Sequence, residues 1–294
     1  MRLGVGLSIP GDDPDEIARA YADAGYSAAV CPPVSLDQPE RIRAIREAFA
    51  RHDVLLAEVG VWNNMLDPHP ARRTANVEAN VQALALADEL DAHCCVNIAG
   101  SFNPTNWDGP HPRNLSEEAF ELTVQNVQHI IDAVKPQRAS YSLETMPWVL
   151  PDSADSYLRL IGAIGRPAFR VHLDPVNLIN CPSRYYDNAG LLHECFSKLG
   201  RWIVSCHGKD VVMHERLTVH LDEVRPGLGA LDYKVFLQEL SHLPGEAPLI
   251  LEHLPQGEYA AAREYVVGVA AQIGVSFHTP QEHSWELVGT RRNS

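Results

Sequence analysis

Short apolar runs alternate with helix-like segments along nearly the whole of this 294-residue chain, and few architectures accept that pattern. Leu3 to Ile9, Tyr26 to Cys31, Val54 to Val61 and His93 to Ala99 read as strands, followed by further runs at 139–144, 169–174, 202–207 and 248–252. Helical segments are expected at 12–24, 38–51, 71–90, 116–134, 154–164, 188–199, 231–243 and 259–273. The third carries Val77, Val81, Leu84 and Ala85 at the three-and-four spacing of a half-buried helix. Asp12, Asp13 and Pro14 open the first helix, and Ser116 with Glu117 and Glu118 opens the fourth, each as an N-terminal cap with acids in the first turn. Alternating βα units imply a parallel sheet, and eight of them most simply close into a single-domain α/β fold, the (β/α)8 TIM barrel, over residues 1–275. Residues 276–294 read as a polar tail. A doubly wound open sheet is the alternative, but no GxGxxG or Walker loop follows an early strand.

Composition narrows the function. A formal net charge of −14 argues against a nucleic-acid groove or an anionic membrane surface, where basic residues would dominate. No apolar stretch approaches the roughly 20 residues of a membrane span, and the first residues read as a strand rather than a signal peptide. The six cysteines show no CxxC spacing and read as reduced, mostly buried thiols of a cytoplasmic protein.

Four of the strand runs stop at a metal-competent side chain: Tyr141-Ser142-Leu143-Glu144, Val171-His172-Leu173-Asp174, Val204-Ser205-Cys206-His207 and Leu249-Ile250-Leu251-Glu252. Acids are almost never buried unless paired or bound to a cation. One at a strand end means little; three carboxylates and one imidazole at four successive strand ends suggest one divalent-metal site. Strand C-termini build the active site of such a barrel. The oxygen-rich donor set suits Mn²⁺ first, then Mg²⁺ or Co²⁺, with Zn²⁺ also possible.

At this point the chain resembles a known group, the xylose-isomerase-like barrels of sugar phosphate isomerases and epimerases, which include ketose 3-epimerases, inosose dehydratases and type-IV apurinic endonucleases. The stretches that carry the resemblance are Leu143-Glu144, Leu173-Asp174-Pro175, Cys206-His207-Gly208-Lys209-Asp210, Arg225-Pro226-Gly227-Leu228-Gly229 and Leu251-Glu252-His253. It implies that Glu144, Asp174, His207 and Glu252 hold the metal, and that Glu144 and Glu252 also move a proton from opposite faces of a sugar. Two departures stand out. Many relatives carry Asp-x-x-His at the sixth strand, where this chain has Asp174-Pro175-Val176-Asn177. The endonucleases carry Asp-x-His after strand seven, where Asp210-Val211-Val212 stands here.

The expected activity is that of a metal-dependent isomerase or epimerase acting on a sugar or keto-sugar: a cation on a ketone and its neighbouring hydroxyl stabilises the enediolate left when the intervening C–H loses its proton. A dehydratase or lyase working by β-elimination is the alternative, and a non-catalytic sugar-binding barrel a further one. Other residues carry weaker expectations. His172 shares strand parity with Asp174 and is a base, a substrate contact or a hydrogen-bonded interior histidine. Trp62, Asn63 and Trp148 form a sugar platform or plug the barrel mouth. Asn177, Lys209 and Arg225 bind substrate oxygens, or Lys209 pairs with Asp210. His220 and Glu223 lie on a long loop that can reach the site, and Tyr185 and Tyr186 are lid or packing residues. The longest loop, Gly100 to Leu115, is expected to be a lid or a disordered segment. A homodimer or homotetramer is the expected assembly.

Overall fold

The computed structural model of the chain describes residues 1–281, so most of the expected tail (276–294) lies outside the described residues. Eight parallel strands form a closed barrel: β1 (Leu3–Val5), β2 (Ala28–Val30), β3 (Leu55–Gly60), β4 (Cys94–Asn97), β5 (Ser140–Glu144), β6 (Phe169–Leu173), β7 (Ile203–Gly208) and β10 (Leu249–Leu251), with β1 closing against β10. Helices cross between them: α1 (Pro14–Asp23), α2 (Pro39–Arg51), α3 (Pro70–Leu90), α4 (Glu117–Val134), α5 (Ala154–Ile164), α7 (Asn188–Leu199), α8 (Tyr233–Ser241) and α9 (Tyr259–Gln272). The chain is therefore the single-domain (β/α)8 barrel expected from its periodicity. No described helix is long and apolar enough to cross a membrane.

The helix starts follow local chemistry. Asp13 caps α1 by accepting from the Asp15 amide, with Pro14 in the first turn. Ser116 caps α4, and a Ser153–Ser156 capping box opens α5, which ends on left-handed Gly165. Strands buried on both faces read as continuous apolar runs, which explains why they were visible without alternation.

Two elements were not expected. A short helix, α6 (Pro182–Tyr186), precedes α7, and the long segment after β7 forms an antiparallel hairpin, β8 (Asp210–His214) with β9 (His220–Val224). Its outer strand, His220-Leu221-Asp222-Glu223-Val224, is only partly covered and carries two acids, so it has no buried-strand signature. The Gly100–Leu115 loop is held by its own side chains: Ser101 Oγ donates to the Gly109 carbonyl at 2.6 Å, and Asn114 Nδ2 donates to the same oxygen at 3.1 Å.

The Pro226-Gly227-Leu228-Gly229 turn proves to be a frame for Asp210. This fully buried carboxylate accepts from the amides of Gly227 (2.9 Å), Gly229 (3.0 Å) and Leu231 (2.9 Å). A Cβ at Gly229 would collide with the carboxylate itself, and Gly227 sits at φ +94°. Asp210 is thus occupied with backbone amides, and Lys209 turns elsewhere.

Candidate metal and substrate site

The C-terminal mouth of the barrel opens into a cavity of about 420 Å³. On its floor the ends of β5, β6, β7 and β10 bring Glu144, Asp174, His207 and Glu252 together, with one candidate ligand atom from each lying within 4.8 Å of the others. His207 Nδ1 is 3.0 Å from Glu144 Oε1 and 3.0 Å from Glu252 Oε1. Asp174 turns Oδ1 back to its own loop, accepting from the amides of Val176 (2.9 Å) and Asn177 (3.2 Å).

Asp174 Oδ2 and Glu252 Oε1 are buried deep in this group. The Lys209 ammonium pairs with both, at 2.8 and 2.6 Å. Buried carboxylates are costly unless cationic charge completes them. Two of them facing a third carboxylate and an imidazole nitrogen make a donor set fit for a divalent cation, three hard oxygens and one nitrogen.

The charges interact strongly. Burial, reinforced by the charge of Glu252, pushes the Glu144 carboxyl above the usual range against the pull of His207. Burial acts the same way on Glu252, but His207 and Lys209 outweigh it and hold that carboxyl well below its ordinary value. His207 and Lys209 are both held above their ordinary values despite burial, by the carboxylates around them.

Of the other expected residues, Trp62, Trp148, Asn177, Lys209 and Glu223 also line the cavity. Trp62 folds back over Gly60, where any Cβ would strike the indole, and its ring lies 6.3 Å from that of His207. Asn177 Nδ2 donates to Glu144 Oε1 at 3.0 Å, so its amide steadies a ligand. Glu223 reaches in from the hairpin, 3.5 Å from Lys209 Nζ and 3.2 Å from His253 Nδ1.

The remaining residues lie elsewhere. Asn63 is committed to a buried amide network with Asn76, Asn80 and Asn97 behind β3. Arg225 turns outward to Glu258 at 3.3 Å. His220 bonds the Thr218 carbonyl at the hairpin tip, and Tyr186 is exposed on α6, edge-on to Tyr185. His172 is fully buried beneath the quartet, facing the interior as its parity required.

Four site residues were not anticipated. Trp107 and Asp108 come from the long fourth loop, and the Trp148 indole N–H donates to the Asp108 carbonyl at 2.7 Å, tying that loop to the next. His253 lines the cavity at φ +56°. Glu58 is the most informative omission. It lies in mid-strand on β3, away from the strand ends that carry the quartet, and is the one charged residue of the Val54–Val61 run, which is the signal it leaves in the sequence. Burial opposes its ionisation, but His207 and His172 hold it at about 2.

Comparison with known proteins settles the family. The model of the xylose isomerase-like TIM barrel matches residues 18–267. The chain belongs to this family. No curated protein matches it in sequence. Among solved structures, a xylose isomerase-like TIM barrel protein from Mycobacterium smegmatis in complex with magnesium superposes with a TM-score of 0.64 at 15% identity, covering 88% of each chain. D-psicose 3-epimerase with D-tagatose from Clostridium cellulolyticum gives 0.65 at 12% identity, covering 93% of this chain and 98% of that one. The probable 3-DHS dehydratase involved in petrobactin synthesis from Bacillus anthracis gives 0.66 at 14%, covering 90% and 97%. At such identities the likeness is one of fold.

Proposed function

We propose that the protein is a divalent-metal-dependent isomerase or epimerase acting on a sugar or keto-sugar, with Glu144, Asp174, His207 and Glu252 holding the cation. The convergence of the four donors beneath a cavity of about 420 Å³ carries this reading. Mn²⁺ is the expected cation, with Mg²⁺, Co²⁺ and Zn²⁺ able to fill the same oxygen-rich set. When bound, it supplies Lewis-acid polarisation of a carbonyl, which acidifies the adjacent C–H.

The chain's own residues do the rest. Glu144 and Glu252 end different strands of the ring, and a sugar lying between them exposes one face to each carboxylate. One accepts the proton from the carbon beside the carbonyl and the other returns one. Asn177 fixes Glu144 for that exchange through its 3.0 Å hydrogen bond. Trp62, Trp107 and Trp148, each 41% exposed, offer apolar faces to the C–H side of a sugar ring and restrict water at the mouth. Family and fold relatives that include sugar epimerases support this reading.

A dehydratase or lyase is the second reading, and the Glu223–His253 pair favours it. This pair lies on the cavity wall beside the quartet, with His253 Nε2 3.8 Å from Glu252 Oε1, where it can protonate a leaving group. Turnover in D₂O separates the two. An epimerase or isomerase incorporates solvent deuterium into a product of unchanged composition, whereas a lyase releases a fragment or water and leaves an unsaturated ketone absorbing in the ultraviolet. Glu144→Gln and Glu252→Gln should each lower turnover by about 10²-fold or more while bound metal is shown to persist. Turnover with no solvent deuterium would overturn proton transfer in favour of a hydride shift.

A further inference from the structure

We propose that Glu58 is a positioning residue: its carboxylate orients the His207 ring so that Nδ1 is the nitrogen presented to the cation. This inference rests on the quartet assignment above. Glu58 is 3% exposed in the middle of β3, a place where an acid is costly unless both its oxygens are engaged. They are. Oε2 lies 2.9 Å from His172 Nε2, and Oε1 lies 3.5 Å from His207 Nε2.

A carboxylate can only accept, so both rings turn Nε2–H toward it. Nδ1 of His207 faces the quartet, 3.0 Å from Glu144 Oε1 and from Glu252 Oε1, where the same rule puts an N–H while no cation is bound; a cation would take the place of that proton, and with Nε2–H held toward Glu58 the lone pair at Nδ1 is the one left for it. The ring has little room to turn. His172 packs edge-on at 4.1 Å between centroids, and Trp62 lies 6.3 Å away on another side. Outer hydrogen-bond partners of ligating histidines set tautomer and ring direction in this way, at a typical cost of 10–100-fold in affinity when removed. His172 has the complementary task of engaging the second oxygen of Glu58, so that the carboxylate is aimed rather than free to rotate.

Glu58→Gln tests this directly. A carboxamide can accept from only one of the two rings, and its NH₂ then faces the N–H of the other, so one ring must change tautomer. Mn²⁺ titration of the full-length variant should show affinity reduced about 10–100-fold. His172→Asn keeps both Glu58 acceptors but loosens their aim, so its loss of affinity should be clearly smaller than that of Glu58→Gln. In ¹⁵N-histidine spectra of the Mg²⁺-loaded protein, His207 should carry its proton on Nε2 in the wild type and lose that preference in Glu58→Gln. Should Glu58→Gln not fold, the wild-type spectrum and Glu58→Asp, which keeps both acceptors one methylene shorter, still decide the matter.

Unchanged affinity in Glu58→Gln, or a loaded His207 protonated on Nδ1, would overturn the inference. An equal loss in His172→Asn would also overturn it, by making the effect one of packing. Glu58, His172 and His207 themselves form a group whose donor atoms lie within 4.8 Å of one another. Two Mn²⁺ per wild-type chain falling to one in Glu58→Gln would make Glu58 a ligand rather than a positioner, and overturn the inference as well. His207→Ala separates the layers of the argument. Wild-type affinity in that variant sinks the quartet itself, whereas its loss there with none in Glu58→Gln sinks only the role of Glu58.

Discussion

At the floor of the barrel, Asp53 receives Arg2 Nη2 at 2.9 Å on one oxygen and His278 Nε2 at 2.5 Å on the other. Arg2 spends its remaining donors on the carbonyls of Ser27 and Asp53 and on Glu246. At the mouth, the single ammonium of Lys209 lies within 4.0 Å of Asp174, Glu252, Glu223 and Glu144. Both ends hold buried or half-buried charge, but the floor matches donor to acceptor while the mouth keeps negative charge in excess. Matched ion pairs tie the ends of the chain to the barrel. Unmatched carboxylates cost stability on their own and keep that cost only where a cation or substrate can complete them. The difference fits the usual division of a (β/α)8 barrel, with stability at the bottom and chemistry at the top.

The largest effect should come from emptying the mouth of a ligand. Asp174→Ala removes one carboxylate of the quartet and should abolish tight metal binding, with turnover falling by about 10²–10⁴-fold. Elemental analysis of the purified variant checks the first part and steady-state kinetics the second; wild-type metal content would place the cation elsewhere. Next in size is the effect of the cation on unfolding. Metal at 100 times its dissociation constant should stabilise the fold by about 2.7 kcal/mol. For a chain of this length that is roughly 4–5 °C in melting temperature. EDTA should remove this increment from the wild type and leave Asp174→Ala unchanged; a wild-type curve indifferent to both would mean that the mouth carries no completed site.

How much of this contrast was legible in the sequence depends on what each residue answers to. The quartet was visible because Glu144, Asp174, His207 and Glu252 each close a short apolar run, and the barrel was visible because eight such runs alternate with helical periodicity. Glu58 sits in mid-run, where only the register of β3 against its neighbours shows that it faces the quartet. Asn63 and Arg225 have the chemistry of substrate contacts, but each is claimed by a nearer partner: Asn97 and Asn80 for the first, Glu258 for the second. Trp107 and His253 reach the cavity through loop geometry, which local propensity does not encode. The floor was the least legible region, because Arg2, Asp53 and His278 are far apart in the chain and meet only when the barrel closes.

The smallest expected effect is at that floor, and it sharpens the comparison because it should touch stability alone. Asp53→Asn keeps the shape and tolerates the left-handed backbone at φ +54°, but it loses the negative charge that holds Arg2 and His278. A loss of about 1–2 kcal/mol is expected, or roughly 2–3 °C in melting temperature, with kcat/KM and metal content unchanged. Acid should erase the difference. Burial would raise the Asp53 carboxyl, but the hydrogen bonds and charges of His278 and Arg2 outweigh it and hold it below the ordinary 3.8. A carboxyl lowered in the folded state contributes stability that is present above its unfolded value and is lost as pH falls through the folded one. The gap between wild type and Asp53→Asn should therefore be full at pH 6 and close progressively below about pH 4. Melting curves across that range decide it. A gap that stays constant into strong acid would mean that Asp53 acts through shape rather than charge, and that the floor is not the matched ionic cluster its distances describe.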